Sequence, residues 1–322
     1  MINIGIIGAA GYTAGELIRL LLHHPEANLM LLHSSSQAGQ PAANIHDDLA
    51  GETDLVFTDQ VALAGLDLLF FCSGHGRTEP FLATHNVPDS LCIIDLSHGY
   101  RIQDAAHDFV YGLPELQREV IRKAQRVANP GCFATCIQLA LLPLADAGEL
   151  KEEVHVTAIT GSTGAGQGLS ATSHFSWRSS NLSVYKPFAH QHLAEITQSM
   201  HQLQPTFDHA INFVPMRGDF TRGILASVYL RSELSAKEAG DLYQEYYADA
   251  PFTHMASRNP HLKQVVNTNK ALVHIEQHDD KLHLISVIDN LLKGASGQAV
   301  QNMNLMFGLE EDCGLRLKAS AF

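Results

Sequence analysis

The sequence predicts an α/β protein in which a doubly wound, parallel-sheet domain comes first and an α+β domain, built on a mostly antiparallel or mixed sheet, follows. Three observations carry this reading. A glycine-rich turn near the N-terminus joins a short apolar run to a helical pattern. Further continuous apolar runs alternate with helical patterns, as in a parallel sheet covered on both faces. Beyond Pro143 the texture changes to longer runs, several with period-two alternation. A length of 322 residues, at roughly 100–200 per domain, suits two domains, and 45% apolar residues supply their cores. Charged residues are 17%, against a usual ~25%, which excludes a disordered chain.

Taken in order, Ile2–Ile7 is the first strand, followed by the glycine turn and a helix through Leu17, Leu20 and Leu21 that Pro25 ends. Asn28–Leu32, Leu66–Cys72 and Leu91–Leu96 read as the next strands. Asn129-Pro130-Gly131 breaks the chain before a helix from Cys132 to Leu142, where Pro143 bends or ends it. Val154–Thr160, Ala210–Val214, Gly223–Arg231, Ala271–Gln277 and Lys281–Val287 are the strands of the second part. A last helix begins near Ser296 and runs into a polar tail. There is no internal repeat and no low-complexity linker.

Charge and composition narrow the function classes. Lys+Arg 21 against Asp+Glu 34 leaves a net −13 with no basic run, which speaks against a nucleic-acid or anionic-membrane partner. No apolar stretch reaches the ~18 residues needed to cross a bilayer. The N-terminus lacks the basic region of a signal peptide. Five cysteines at irregular spacing do not describe a disulfide framework, and no pair has zinc-ligand spacing. The expectation is a soluble, cytoplasmic protein with reduced thiols and no metal.

Gly8-Ala9-Ala10-Gly11-Tyr12-Thr13-Ala14-Gly15 lies between the first strand and the first helix. Small residues let the backbone approach a pyrophosphate, and the helix N-terminus supplies partial positive charge, so this turn reads as the phosphate loop of a Rossmann-type nucleotide domain. An NAD site would end the second strand in a carboxylate for the ribose 2′-OH. Here it ends His33-Ser34-Ser35-Ser36-Gln37, with three hydroxyls able to donate to a 2′-phosphate, which favours NADP.

Asn129-Pro130-Gly131-Cys132 puts a thiol in the first turn of a helix, where backbone N–H groups and the helix dipole stabilise a thiolate. Cys136 lies one turn on and reads as core, as do Cys72, Cys92 and Cys313.

These motifs, with Ile94-Asp95-Leu96-Ser97, Tyr111-Gly112-Leu113-Pro114-Glu115, Gly161-Ser162-Thr163-Gly164-Ala165-Gly166, His190-Gln191-His192 with Glu195, Arg222-Gly223-Ile224 and Asp289-Asn290-Leu291-Leu292-Lys293-Gly294-Ala295-Ser296-Gly297-Gln298-Ala299, form an ordered set along the whole chain. The set resembles the N-acetyl-gamma-glutamyl-phosphate reductase family of the semialdehyde dehydrogenase superfamily. The resemblance implies a nucleotide domain over 1–132 to which 297–322 returns, and a catalytic and oligomerisation domain over 133–296, in a homodimer or homotetramer. It implies NADPH-dependent reduction of N-acetyl-glutamyl 5-phosphate to the 5-semialdehyde and phosphate, a step of arginine biosynthesis, through a thioester on Cys132. A thioester accepts hydride far more readily than a carboxylate, and phosphate leaves easily.

Proton transfer at sulfur falls to His190 or His192. The latter is favoured as acid/base because Glu195, three residues on, reaches it if that stretch is helical. His190 is then a substrate contact. The cofactor would meet Gly8, Ala10, Gly11, Tyr12, Thr13, Ser34, Ser35, Ser36, Ser162, Gly164, Asn290 and Gly294. The substrate would meet Ser162 and Tyr185, and Arg101 and Arg222 are candidates for its carboxylate or phosphate because guanidinium binds planar anions bidentately. Where the family has arginine, this chain has Ser34–Ser36; the residues after the cysteine are Phe133 and Ala134 in place of Tyr and Pro; and His98-Gly99 replaces an acidic-aromatic pair. An N-succinyl substrate, a sibling activity such as aspartate-semialdehyde dehydrogenase, and a non-catalytic nucleotide sensor are the alternatives.

Overall fold

A computed structural model describes residues 1–321. The chain divides into two compact units, Met1–Pro130 with Ala295–Arg316, and Gly131–Gly294 with the chain from Leu317. Cys132 thus belongs to the second unit rather than to the end of the first. The tail beyond Leu317 also groups with the second unit, where Ser320 N–H donates to Val266 O and Ala321 N–H to Lys263 O.

The first unit runs β1 (Ile2–Ile7), α1 (Tyr12–Leu22), β2 (Ala27–His33), α2 (Ala42–Ile45), β3 (Leu68–Phe71), α3 (Thr78–Thr84), β4 (Cys92–Asp95), β5 (Val110–Tyr111), α4 (Pro114–Ile121) and β6 (Arg126–Ala128). Its six strands are all parallel, in the order β2-β1-β3-β4-β6-β5. Both faces are covered, which is why the strands read as continuous apolar runs. Ile7, Leu69, Phe71 and Ile93 pack with Phe81 and Leu82 of α3 on one side. Their alternating neighbours Ile4, Ile6, Leu68, Phe70 and Ile94 are equally buried. Each such side chain contributes about 1.5–3 kcal/mol of burial.

The second unit runs α5 (Cys132–Asp146), β7 (Val154–Thr160), α6 (Phe175–Arg178), β8 (Ser183–Val184), α7 (His192–Leu203), β9 (Ile211–Arg217), β10 (Ile224–Arg231), α8 (Ala236–Tyr246), β11 (Thr253–Met255), β12 (Ala271–His278) and β13 (Lys281–Ile288). Its sheet is mixed, in the order β11-β12-β13-β10-β7-β9-β8, with only β11–β12 and β7–β9 parallel. Helix α5 packs on β10 and β13 and against α7 and α8, and is buried from Phe133 to Ala145. A helix buried all round is apolar all round.

Pro143 does not end α5, which continues to Asp146. Proline cannot donate to the carbonyl four residues back. Leu139 O instead accepts the Tyr247 hydroxyl at 2.7 Å, and Ala140 O accepts that of Tyr243. Strand β9 likewise runs past the expected Val214 to Arg217, because the Pro215 carbonyl still accepts Tyr185 N–H.

After a π-helical turn, Leu292–Ser296, the chain re-enters the first unit as α9 (Gly297–Met306), which packs on α1, α4 and β4. This helix buries Gln298, Gln301, Asn302 and Asn304. Asn302 donates to Gly112 O and to Asn129 Oδ1, and Asn129 donates to Ala295 O at 3.0 Å. The asparagine that opens the Asn-Pro-Gly-Cys turn is thereby fixed from within its own unit.

Candidate active site

Helix α5 starts on Gly131, which adopts extended backbone angles (φ −71°, ψ 149°) with no side chain capping it. The Gly131 N–H donates instead to Glu195 Oε2 at 2.9 Å. A Cβ at Gly131 would lie 2.3 Å from His192 Nε2, so the imidazole rests directly on this glycine. From another direction Gly294 approaches so closely that a Cβ there would lie 2.8 Å from Cys132 Cβ. Two glycines therefore let an imidazole and the 289–294 turn close around a half-buried thiol at a helix N-terminus. Such a position favours thiolate.

Cys136, one turn further, is buried and donates to Ser286 O at 3.3 Å; burial pushes its pKa up to about 12. Burial likewise pushes Cys72 up to about 12 and raises Cys92 and Cys313. At all four, burial favours the protonated thiol.

The expected helical stretch is α7, which begins at His192 and puts Glu195 in its first turn. His192 Nε2 lies 3.9 Å from Glu195 Oε1, an ion-pair separation longer than a hydrogen bond. The carboxylate reaches the Cys132 loop as well as the ring, so it ties α7 to the start of α5. His190 accepts the His192 N–H on Nδ1 at 3.2 Å, which places the proton of the neutral ring on Nε2. Burial first, then the Lys186 charge, lowers the His190 pKa to about 4. The ring is boxed by Phe133, Phe213 and Tyr185, with centroids 5.5, 5.5 and 5.7 Å away, and lies 4.6 Å from that of His192. The two histidines therefore differ: one is a fixed neutral donor, the other lies against the Cys132 loop beside a carboxylate.

Burial and the Cys132 charge push Tyr185 up to about 12, opposed by Arg217, whose guanidinium stacks on the phenol ring at 4.9 Å. Arg217 was not singled out by the sequence; its signal is its place at the last residue of β9. Its Nε is buried without a hydrogen-bond partner. Lys186 and Phe188, between Tyr185 and His190, adopt left-handed φ of 45° and 58°. Such backbone costs on the order of 1–3 kcal/mol per residue and persists where the surroundings enforce it; here Phe188 N–H is held by Phe213 O.

Ser162, Gly164, Asn290 and Gly294 lie in the same unit. Asn290 accepts Gly223 N–H at 2.7 Å and donates to Thr163 Oγ1 at 3.0 Å, pinning the Gly161–Gly166 turn to the start of β10. Both arginines are engaged by groups of the chain itself. Arg222 forks onto the buried Asp289 (3.1 and 3.3 Å), whose carboxylate also takes the N–H groups of Asn267, Leu291 and Leu292. Arg101, in the first unit, is 5% exposed and donates to Asn129 O and Leu96 O. Arg101 thus clamps main-chain carbonyls and Arg222 pairs with a buried carboxylate.

The first unit holds the phosphate turn. Gly8 has φ +80°, and a Cβ on it would lie 2.4 Å from Ser73 Cα. Gly8 and Ala9 donate their N–H groups to His33 O, and α1 begins at Tyr12 with no side chain capping it. Gly11 caps α1 with open space where a Cβ would stand. Ser34 is buried and lies 3.4 Å from Ser36 across their hydroxyls, while Ser35 and Ser36 are at or near the surface. A cradle only glycine permits, an uncapped helix start and a hydroxyl cluster without carboxylate fit a phosphorylated dinucleotide.

Residues 3–124 match the family "Semialdehyde dehydrogenase, NAD binding domain" and residues 132–290 match "Semialdehyde dehydrogenase, dimerisation domain". Proteins named N-acetyl-gamma-glutamyl-phosphate reductase from Parabacteroides distasonis and Bacteroides thetaiotaomicron are each 61% identical over the full length of both chains, and that of Christiangramia forsetii is 55% identical over the same extent. Among solved structures, aspartate semialdehyde dehydrogenase II from Vibrio cholerae superposes with a TM-score of 0.75 at 16% identity, covering 96% of this chain and 98% of that one. The Candida albicans aspartate semialdehyde dehydrogenase with NADP gives 0.67 at 15% identity, covering 95% and 98%.

Proposed function

The chain belongs to the semialdehyde dehydrogenase family, and we propose that it reduces N-acetyl-glutamyl 5-phosphate to N-acetyl-glutamate 5-semialdehyde and phosphate, with NADPH, in arginine biosynthesis. The observation that carries the mechanism is Cys132 in the first turn of α5, enclosed by Gly131 with His192 and by Gly294. The Cys132 thiolate attacks the acyl carbonyl; the carbon–sulfur bond forms as the bond to phosphate breaks, leaving a thioester. NADPH, when bound, supplies the hydride that reduces this thioester. The resulting thiohemiacetal collapses, returning the electron pair to sulfur and releasing aldehyde. His192 takes the thiol proton before attack and returns a proton to the departing group, with the Glu195 carboxylate favouring its charged form. His190, neutral with its proton on Nε2, donates a hydrogen bond to the substrate and does not exchange protons at neutral pH. Gly8, Ala10, Gly11, Tyr12, Thr13 and Ser34–Ser36 hold the cofactor's phosphates, and Ser162, Gly164, Asn290 and Gly294 its reactive end. Ser162 and Tyr185 contact the substrate.

A second reading, reduction of the N-succinyl substrate, is favoured by one observation: Arg217 brings a cation to Tyr185, where an extra carboxylate on the acyl group would find a bidentate partner. We place the enzyme in the cytoplasm as a homodimer or homotetramer. No described helix is long and apolar enough to cross a membrane, and Leu169, Phe175, Trp177 and Phe188 expose apolar surface on the second unit that a like chain would cover.

The test is phosphate-dependent reduction of NADP by N-acetyl-glutamate, N-succinyl-glutamate and aspartate semialdehydes. The N-acetyl aldehyde is expected to give the highest kcat/KM. Preference for the N-succinyl aldehyde, abolished by Arg217→Leu, installs the second reading, and turnover of aspartate semialdehyde alone rejects both.

A further inference from the structure

Outside the reaction centre, the β12–β13 hairpin gathers three histidines around one carboxylate. Strand β12 carries His274, Glu276 and His278 at two-residue intervals, hence on one face, and the antiparallel register sets His283 of β13 directly opposite Glu276. Glu276 Oε2 lies 3.2 Å from His278 Nε2 and 3.6 Å from His283 Nδ1, and these three donor atoms are all within 4.8 Å of one another. The other carboxylate oxygen lies 3.2 Å from His274 Nε2.

Two of the other ring nitrogens are held from outside. His283 Nε2 meets Ser227 Oγ at 2.8 Å, leaving Nδ1 turned to the carboxylate. His274 Nδ1 meets Ala256 O at 2.8 Å, and a carbonyl only accepts, so that nitrogen carries hydrogen. Two imidazole nitrogens and a carboxylate oxygen thus converge, with a serine backing one ring, the outer partner that a ligating imidazole characteristically has. Donors about 2.0–2.1 Å from a tetrahedral ion are spaced about 3.4 Å apart, and the 3.2 and 3.6 Å separations bracket that value. The neighbouring charges, Lys281 and Arg231, are engaged by Asp280 at 2.7 and 3.3 Å and do not enter the cluster.

We propose that Glu276, His278 and His283 bind one divalent first-row metal ion of the Zn²⁺ kind, with water completing its coordination. Cysteine spacing shows no zinc-ligand pair; this donor set comes from strand alternation and cross-strand register instead. It uses no residue of the proposed reaction, so its role is to clasp the hairpin at the β12–β13 end of the sheet.

The test uses the untagged full-length chain, stripped by chelator and titrated calorimetrically with ZnCl₂ near pH 7.5, in a Cys132→Ser background so that the thiol adds no heat. One saturable site per chain is expected, with Zn²⁺ raising Tm. His278→Ala, an exposed position that leaves the fold intact, should weaken the site at least ~10-fold, as should Glu276→Gln. In a Cys132-intact chain, His278→Ala should leave kcat unchanged. Binding that is absent, or identical in wild type and both hairpin variants, overturns the proposal and leaves a cluster held by protons alone.

Discussion

Two helix starts in this molecule are built alike and completed differently. Helices α1 and α5 both follow a parallel strand, both begin on a glycine in extended conformation, and neither has a side-chain cap. At Gly11 the space a Cβ would occupy is open; at Gly131 it is filled by the His192 ring. In the function proposed here, the same partial positive charge serves an incoming phosphate in one case and a resident sulfur in the other. What a helix N-terminus does is decided by what the rest of the chain packs against it.

The largest test of this contrast is Cys132→Ser. Loss of kcat by about 10⁴-fold is expected, with NADP affinity unchanged, since removing a nucleophile costs on this scale while binding is served by α1. In the native protein, iodoacetamide should label Cys132 first and leave Cys136 untouched, because burial keeps the latter protonated. Equal labelling of both thiols would mean that the start of α5 confers nothing on its first residue.

A second test exchanges the two glycines. Gly131→Ala forces a methyl to within 2.3 Å of His192 Nε2, so the imidazole must shift; about 10²-fold in kcat is expected from such a displacement. Gly11→Ala meets nothing within 4 Å and should fold normally, raising Kd for NADP about tenfold, or ~1.4 kcal/mol, by crowding the phosphate. If Gly131→Ala harms cofactor binding and spares kcat, the two helix ends have been assigned the wrong way round.

The two histidines make a third, smaller test. His190 is lowered from 6.5 to about 4 by burial, so between these values the unfolded chain binds a proton that the native ring refuses. Native stability should accordingly fall as pH drops from 6.5 toward 4, and His190→Asn should flatten that slope in denaturant titrations at several pH values. Above pH 6.5 the variant's pH–rate profile should keep its shape, since a ring that is already neutral contributes no limb there. A lost limb at neutral pH would make His190 the acid/base in place of His192.

Much of this was legible in the chain. Apolar runs buried on both faces announced β1 to β4, period-two alternation announced β10, β12 and β13, and Asn129-Pro130-Gly131 announced the start of α5. Residues that depend on distant partners were not legible. Arg101 and Arg222 have the chemistry of anion receptors, and their partners in the fold, the carbonyls of Asn129 and Leu96 and the Asp289 carboxylate, come from tertiary contact that no local pattern shows. Arg217 carried no motif, and its meaning comes from Tyr185 stacking on it across the β8–β9 edge. The short strands β5, β8 and β11 hold two or three residues each, too few to show a period.

Pro143 belongs to the same class, and it yields the smallest test, which separates the first turn of α5 from the rest. Leu139 O has no amide to accept from, because residue 143 is proline, and Tyr247, far along the chain, supplies the hydrogen. Tyr247→Phe should cost about 1–2 kcal/mol in urea denaturation by stranding that buried carbonyl. Tyr243→Phe should cost less, because Ala140 O keeps the amide of Leu144 as a helical partner. Pro143→Ala restores the missing donor, so in the Tyr247→Phe background it should recover part of the loss, while in the native background it adds little. None of the three should change kcat, because the turn that carries Cys132 is held by Gly131 and Glu195 instead. A kcat loss in Tyr247→Phe without a stability loss would show that the far end of α5 reaches the sulfur after all.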